Sequence, residues 1–192
     1  MVMVQEPVGG YAWVEPLEAY CFTAVVGVEP DEVVRRLGAD PDVSTWRTFE
    51  ECFWMPDRPQ WAQVGAIDGA VLIAENNGWR GEEDAERLSV GGRLACFFRN
   101  VSAVMHFVYA ADGAVLADFD PLLDEPAAAH REPALVTRAM EGLPFGLFGA
   151  EPSAMTLLQR LTGVQVTRTW LTTPQRSILL PALPPVTAGR RE

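Results

Sequence analysis

The sequence lacks lysine altogether, and all 15 of its basic residues are arginine. It has few metal-binding side chains, with two histidines and three cysteines among 192 residues, and no Cys-x-x-Cys pair occurs. These counts indicate neither a disulfide framework nor a zinc site. No apolar run approaches the length of a membrane span, and residues 1–6 do not have the pattern of a secretory signal. We therefore expect a cytoplasmic protein with buried free thiols, no membrane partner and no cofactor. The three cysteines are Cys21, Cys52 and Cys96.

Positive charge is also scarce relative to negative charge. The 26 acidic residues and 15 arginines give a net charge of -11 and an isoelectric point near 4.6. This balance excludes nucleic acid as an expected partner, because neutralising phosphates requires a basic face. An acidic surface suits a basic protein partner, and it equally serves solubility alone.

Motifs of enzymatic chemistry are missing as well. The chain has no Gly-x-Ser-x-Gly, no Walker loop and no Gly-x-Gly-x-x-Gly. Those motifs place a nucleophile on a sharp turn or a phosphate at a helix N-terminus. Their absence favours a non-catalytic protein and identifies no reaction.

A repeated pentapeptide, Asp-Gly-Ala-Val-Leu, is present at Asp68–Leu72 and at Asp112–Leu116. Each copy lies between apolar runs, and Asp-Gly in that context is the strongest short-range hairpin signal. An internal duplication and two separate uses of one turn sequence both explain the repeat. The copies predict two hairpins, Trp61–Ile67 with Ala70–Glu75 and Val104–Ala111 with Ala114–Phe119.

Other periodic segments complete the predicted fold. Strand patterns occur at Tyr20–Val26, Leu94–Phe98 and Arg176–Pro181, and helical patterns at Glu29–Gly38, Glu82–Val90, Ala134–Met140 and Ser153–Leu161. Together with the hairpins they predict an α+β domain. Its antiparallel sheet would have about six strands, with helices mainly on one face. We expect residues 1–182 to form one globular domain and residues 183–192 a disordered tail.

Aromatic residues concentrate in and beside an irregular stretch, residues 39–60. Trp46 and Trp54 lie within it, and Trp61 follows directly. Long loops in compact domains are often functional, so these rings are candidates for a ligand or partner groove. The alternative interpretation is that they cover the sheet and fill a satellite core.

The turn Asn76–Gly81 is a second candidate binding region. Asn and Gly tolerate left-handed backbone there, and the turn would hold Trp79 and Arg80 at the end of the first hairpin. A Trp beside an Arg at a rigid turn is typical of an interaction hot spot. Alternatively, Trp79 folds back over the edge of the sheet.

Three polar residues of the second hairpin are the best candidates for chemistry. Asp118 and Asp120 form an Asp-x-Asp at the end of a strand, where alternate side chains share a face and both carboxylates could reach one metal ion. His106 lies in the partner strand and could use Asp118 as its carboxylate. Solvated acids and a histidine satisfied within the sheet are the competing interpretation.

Ten scattered segments form a recognisable layout along nearly the whole chain. They are Tyr11–Trp13, Tyr20–Cys21, Arg36–Ala39, Val64–Gly65, Glu75–Trp79, Arg99–Val101, Gly113, Phe119–Pro121, Leu157–Gly163 and Trp170–Leu171. This layout resembles that of a family of uncharacterised proteins from actinobacteria such as Streptomyces. That family is a domain of unknown function, so the resemblance implies a shared scaffold and no catalytic residues.

These observations favour a non-catalytic cytoplasmic protein-binding module, with a regulatory or immunity role as an analogy. The alternative is a small-molecule-binding protein or enzyme. Its pocket would lie between the sheet and the 46–61 aromatic loop, with polar groups from His106, Asp118 and Asp120. A homodimer that pairs through an edge of the sheet is a third hypothesis.

Overall fold

A computed structural model describes residues 10–123, 133–147 and 149–182. The predicted tail, residues 183–192, lies outside the described residues. The strands are β1 (Tyr20–Val26), β2 (Ser44–Arg47), β3 (Trp61–Ile67), β4 (Ala70–Asn76), β5 (Arg93–Arg99), β6 (Met105–Ala111), β7 (Ala114–Phe119) and β8 (Gln175–Leu179). The helices are α1 (Pro30–Arg36), α2 (Arg80–Glu83), α3 (Ala85–Leu88), α4 (Pro133–Met140), α5 (Ala150–Thr162) and α6 (Arg168–Thr172), with short 3₁₀ turns at Ala12–Val14 and Glu50–Cys52.

The strands form one antiparallel sheet in the order β2-β8-β3-β4-β1-β5-β6-β7. The predicted mixture of helices with an antiparallel sheet is confirmed, but the sheet has eight strands and not about six. Seven of the eight strands correspond to strand segments named from the sequence, and the one without a counterpart is β2, from the stretch read as irregular. It is only four residues long, and pairing with β8 supplies order that its own sequence does not signal.

The two Asp-Gly pairs lie between strands that pair with each other. Ile67 pairs with Ala70 across Asp68 and Gly69, whose φ angles are 48° and 77°. Asp112 and Gly113 have the same signs, at 49° and 80°, between β6 and β7. The pair β3–β4 does not lie beside the pair β6–β7 in the sheet, because β1 and β5 separate them.

Helices cover both faces of the sheet, so the prediction of helices mainly on one face is wrong. One core contains Phe22 of β1 with residues from α4, α5 and α6, and the other contains Val25 of β1 with residues from α1 and α3. The cause is visible in β1, which is buried on both sides over Tyr20–Val25. A strand that is apolar on both faces requires cover on both faces.

The helical predictions hold to different degrees. Helix α1 begins at Pro30 and carries acids in its first turn and arginines in its last, as the sequence indicates. The predicted helix Glu82–Val90 is instead the pair α2 and α3, with Asp84 between them. In the described part of the chain, no helix combines the length and apolarity that crossing a membrane requires.

Candidate functional site: an aromatic cavity at one end of the sheet

Three chain segments converge at the end of the sheet where β4 stops. Because neighbouring strands are antiparallel, Asn76 at the end of β4 lies near the start of β3 and the end of β8. The Trp54 backbone N–H donates to the Asn76 carbonyl at 3.0 Å, and the Asn77 side chain donates to the Trp54 carbonyl at 3.0 Å. Asn77 has a φ of 62°, a left-handed angle that Asn tolerates. These bonds hold the segment before β3 against the turn after β4.

Trp54 and Trp79 meet at this junction. Their rings lie edge to face, with centroids 5.2 Å apart and an interplanar angle of 80°, and both are half-buried. They border a cavity of about 320 Å³ that is open to solvent. Its lining residues are Trp54, Pro56, Arg58, Pro59, Gln60, Trp79, Leu180 and Ala182. Tertiary structure thus joins two tryptophans that the sequence suggested for separate reasons.

A fully buried carboxylate lies against the wall of this cavity. Glu75 Oε2 accepts hydrogen bonds from Gln60 Nε2 at 2.9 Å and from the Arg80 backbone N–H at 3.0 Å, and Oε1 accepts from the Gly81 N–H at 2.8 Å. Burial raises the pKa of Glu75 from 4.5 to about 7, and the two backbone N–H bonds and the Arg80 charge oppose that rise without cancelling it. No sequence motif marks Glu75, which reads as the last residue of a strand.

Two glycines allow the close packing around Glu75. A Cβ at Gly78 would lie 2.5 Å from Gln60 Nε2 and 2.5 Å from Glu75 Oε2. A Cβ at Gly81 would lie 1.9 Å from Thr23 Oγ1. All three distances are shorter than real Cβ contacts, so the turn and the start of α2 require residues without side chains here.

The other two predicted tryptophans do not join the cavity. Trp46 is 70% exposed on β2, the edge strand of the sheet. Trp61 is half-buried, and the Arg47 guanidinium lies over its ring at 4.4 Å from the centroid. That cation–π contact ties β2 to β3, which gives Trp61 a structural role.

Arg80 is buried, whereas the predicted hot spot requires it at the surface. It is 5% exposed, and its Nε donates to Asp84 Oδ2 at 3.0 Å. It also donates to the carbonyls of Leu37 at 3.2 Å and Pro181 at 3.4 Å. The guanidinium joins three segments inside the protein, which is a structural role for Arg80.

His106 lies between two carboxylates on the same face of the sheet as Glu75. Its Nδ1 is 2.6 Å from Glu82 Oε1, and its Nε2 is 3.2 Å from Asp118 Oδ1. The Glu82 hydrogen bond raises the pKa of His106, burial lowers it, and the charges of Glu82, Asp118 and Asp120 raise it further. The sequence suggested Asp118 as a partner and missed Glu82, which comes from α2.

Asp118 and Asp120, the predicted metal pair, gain no further ligands from the residues that the structure describes. Asp120 Oδ1 accepts from the Leu122 backbone N–H at 2.8 Å, which is the geometry of a capped turn. Among the described residues, no group of three or more His, Cys, Asp or Glu side chains is arranged to hold a metal ion.

A second cavity, of about 240 Å³, borders the 46–61 loop at Thr48, Phe49 and Glu50. Its polar lining includes Glu50 and Arg168, and within the described residues neither forms an ion pair. The polar groups expected for a loop pocket were His106, Asp118 and Asp120, and none of the three lines either cavity. The remaining lining residues are Trp13, Pro16, Leu17, Leu171 and Thr172.

Comparison with known proteins identifies a family and no activity. A family of unknown function, DUF6461, matches residues 8–178, and the chain therefore belongs to it. The resemblance to an uncharacterised family is thus confirmed, while actinobacterial origin stays a prediction. Neither a curated protein nor a solved structure matches the chain.

Proposed function

We propose that this member of the DUF6461 family is a non-catalytic protein-binding module that takes an apolar segment of a partner into the cavity between Trp54 and Trp79. The observation that carries the proposal is the open, edge-to-face pair of half-buried tryptophans. Tryptophan is enriched among the residues that dominate binding energy at interfaces, because one ring buries a large apolar area with little loss of side-chain freedom.

The shape and chemistry of the cavity favour an extended segment that contains proline. Two rings at a steep angle form a cleft that fits a compact apolar side chain, and aromatic-lined grooves are the usual receptors for polyproline II segments. Such segments are already extended before binding, so little conformational entropy is lost. The net charge of -11 favours basic residues elsewhere in the partner.

A cytoplasmic regulatory or immunity role is the biological setting that we propose for this binding. Its support is the acidic charge and the presence of three buried, unbridged cysteines, which suits a reducing compartment. The fold itself implies no activity, because similar scaffolds serve unrelated functions.

Fluorescence titration with a defined peptide tests the proposal. The probe is a labelled ten-residue peptide with a central proline run and flanking arginines, added to the wild-type chain at low salt. We expect saturable binding that Trp54→Ala or Trp79→Ala weakens roughly thirtyfold, since truncating a hot-spot residue costs ~2 kcal/mol. Trp46→Ala is the matched control, because that ring is exposed and lies outside the cavity.

Two results would count against this function. One is the absence of saturable binding for proline-containing peptides in general. The other is binding that Trp46→Ala and Trp79→Ala weaken equally, which would place the contact away from the cavity.

A second candidate function is the binding of a small apolar molecule in the cavity between the 3₁₀ turn Ala12–Val14 and α6. Its floor is apolar, with Phe49 and Leu171 buried, while Glu50 and Arg168 offer one charge of each sign at the exposed rim. An apolar amino acid has the matching zwitterionic chemistry. Titration of such amino acids should shift Trp13 fluorescence, and filling the cavity with Leu17→Trp should abolish the shift.

A further inference from the structure

Glu75 touches both halves of the aromatic cavity from inside the protein. It is 0% exposed, and it lies opposite Cys21 of β1 in the sheet. A carboxyl group buried this completely is rarely retained unless its hydrogen bonds satisfy it. Here they do, and the donors come from two different chain segments.

The first donor is Gln60, in the loop that forms one wall of the cavity. Gln60 lines the cavity and is 8% exposed, and its Nε2 donates to Glu75 Oε2. The same stretch of chain carries Trp54, whose backbone is bonded to Asn76 and Asn77. The bond from Gln60 to Glu75 is therefore one of the contacts that hold the chain from Trp54 to Trp61 on the end of the sheet.

The second set of donors belongs to the turn that carries Trp79. The N–H groups of Arg80 and Gly81 immediately follow Trp79, and both donate to Glu75. The space is tight, since even a methyl group at Gly78 would clash with both Gln60 and Glu75. One carboxylate thus accepts three hydrogen bonds that fix the two tryptophan-bearing segments relative to each other.

Protonation of this carboxyl changes which bonds it can form. An ionised carboxylate accepts only, whereas a protonated one carries an O–H donor on one oxygen. If Oε2 is the protonated oxygen, its O–H faces the N–H donors of Arg80 and Gln60, and Oε2 can no longer accept both hydrogen bonds. The O–H can donate to the Gln60 amide oxygen if the amide turns over, or to the Cys21 sulfur.

We propose that Glu75 is a positioning residue whose protonation rearranges Gln60 and the Trp79 turn, so that the binding of a partner between Trp54 and Trp79 depends on pH. The inference rests on the proposed function for its biological meaning, and the rearrangement itself is measurable without a partner. The segments that move are Trp54–Gln60 and Asn77–Gly81.

The burial of Glu75, opposed in part by its hydrogen bonds and by the Arg80 charge, places the change near neutral pH. Burial raises its pKa to about 7, against the lowering effect of the Arg80 and Gly81 N–H bonds, the Arg80 charge and the Cys21 hydrogen bond. Asp84 offsets part of the Arg80 charge through its own contact at 3.0 Å. Cys21 stays a neutral thiol, because burial and its contact with Cys96 at 3.4 Å raise its pKa.

Nuclear magnetic resonance of the wild-type protein tests the inference directly. The side-chain carboxyl carbon of Glu75 and the indole N–H of Trp54 and Trp79 are followed from pH 5.5 to 8.5. We expect all three signals to titrate with one shared midpoint near pH 7. Glu75→Gln should abolish the indole titration, and His106→Gln should retain it, which separates this carboxyl from the other titrating group on the same face.

The outcomes separate this inference from the proposed function. Indole signals that do not follow the Glu75 midpoint would overturn the inference, even if the proline-rich peptide binds. A shared midpoint without any peptide binding would leave the rearrangement standing and reject the function. If both hold, peptide affinity should change at least threefold between pH 6 and pH 8 in the wild type, and should be constant in Glu75→Gln.

Discussion

Glu75 and His106 lie on one face of the sheet at the same end, and both have raised pKa values for opposite reasons. Burial without a full counter-charge favours the neutral form of Glu75. Two nearby carboxylates favour the charged form of His106 in spite of partial burial. At Glu75, whose hydrogen-bond partners are mostly dipoles, desolvation has the larger effect on the pKa. At His106, which is one-third exposed and lies between two carboxylates, the opposite charges have the larger effect.

The short helix α2 connects the two groups. Its first N–H groups donate to Glu75, and Glu82, two residues later, pairs with His106. A helix of four residues has little stability of its own, so these anchors and its packing on β1 hold it in place. Substituting Glu75 or His106 tests how much each side chain stabilises α2.

The largest expected effect comes from removing the space between α2 and the sheet. Gly81→Ala places a Cβ 1.9 Å from Thr23 Oγ1, so α2 must shift away from Glu75. We expect a loss of about 3 kcal/mol in the free energy of unfolding, at the upper end of overpacking costs. Gly142→Ala is the control, since its φ of 73° brings backbone strain but no atom lies within 4 Å of the new Cβ. Urea unfolding that ranks the two variants equally would contradict the packing argument.

Glu75→Gln should remove a pH dependence of stability. The folded pKa, about 7, exceeds the ordinary value of 4.5, so the contribution is present below pH 4.5 and is lost as pH rises through 7. At about 1.4 kcal/mol per pH unit, the loss is up to ~3 kcal/mol in the wild type. Urea unfolding between pH 4.5 and pH 8 measures it. If the free energy of unfolding falls no more steeply with pH in the wild type than in Glu75→Gln, the buried-carboxyl interpretation is rejected.

His106→Gln should have a smaller effect with the same sign. The folded pKa of His106 lies above 6.5, so its contribution is present below pH 6.5 and is lost as pH rises through the folded pKa. Because the ring is 34% exposed, solvent screening limits the difference to ~1 kcal/mol. A double-mutant cycle with Glu82→Gln at pH 6 and pH 9 isolates the pair. Equal coupling at both pH values would show that the charge of the histidine does not change between them, which would contradict the prediction.

Salt should produce the smallest effect and separate the two groups most simply. Raising NaCl to 1 M shortens the screening length to about 3 Å, which weakens the partly exposed His106 pair more than the enclosed Glu75 contacts. We expect the pH-6 stability difference between wild type and His106→Gln to fall by about half, while the Glu75→Gln difference stays nearly constant. Parallel urea titrations at low and high salt provide the comparison.

The sequence predicted local elements well where a pattern was complete within a few residues. Helix α1 follows from Pro30 and its flanking charges, and the core strand β1 follows from its apolar run. Strand β2 and the short helix α6 were missed, since four or five residues carry too little periodicity to stand out. The sequence singled out two of the eight residues that line the candidate cavity, Trp54 and Trp79, but did not predict that their rings are in contact.

Sequence by itself determined that this protein is acidic, has continuous apolar runs in strands such as β1, and is rich in tryptophan around residues 46–79. Only the tertiary structure decided that helices cover both faces, that Trp54 meets Trp79, and that Glu75 is buried while Trp46 is exposed. The physical reason is the distance along the chain over which each property is determined. Periodicity and turn chemistry act between neighbours in the chain, whereas burial and pKa depend on segments that are distant in sequence and meet only when the sheet assembles.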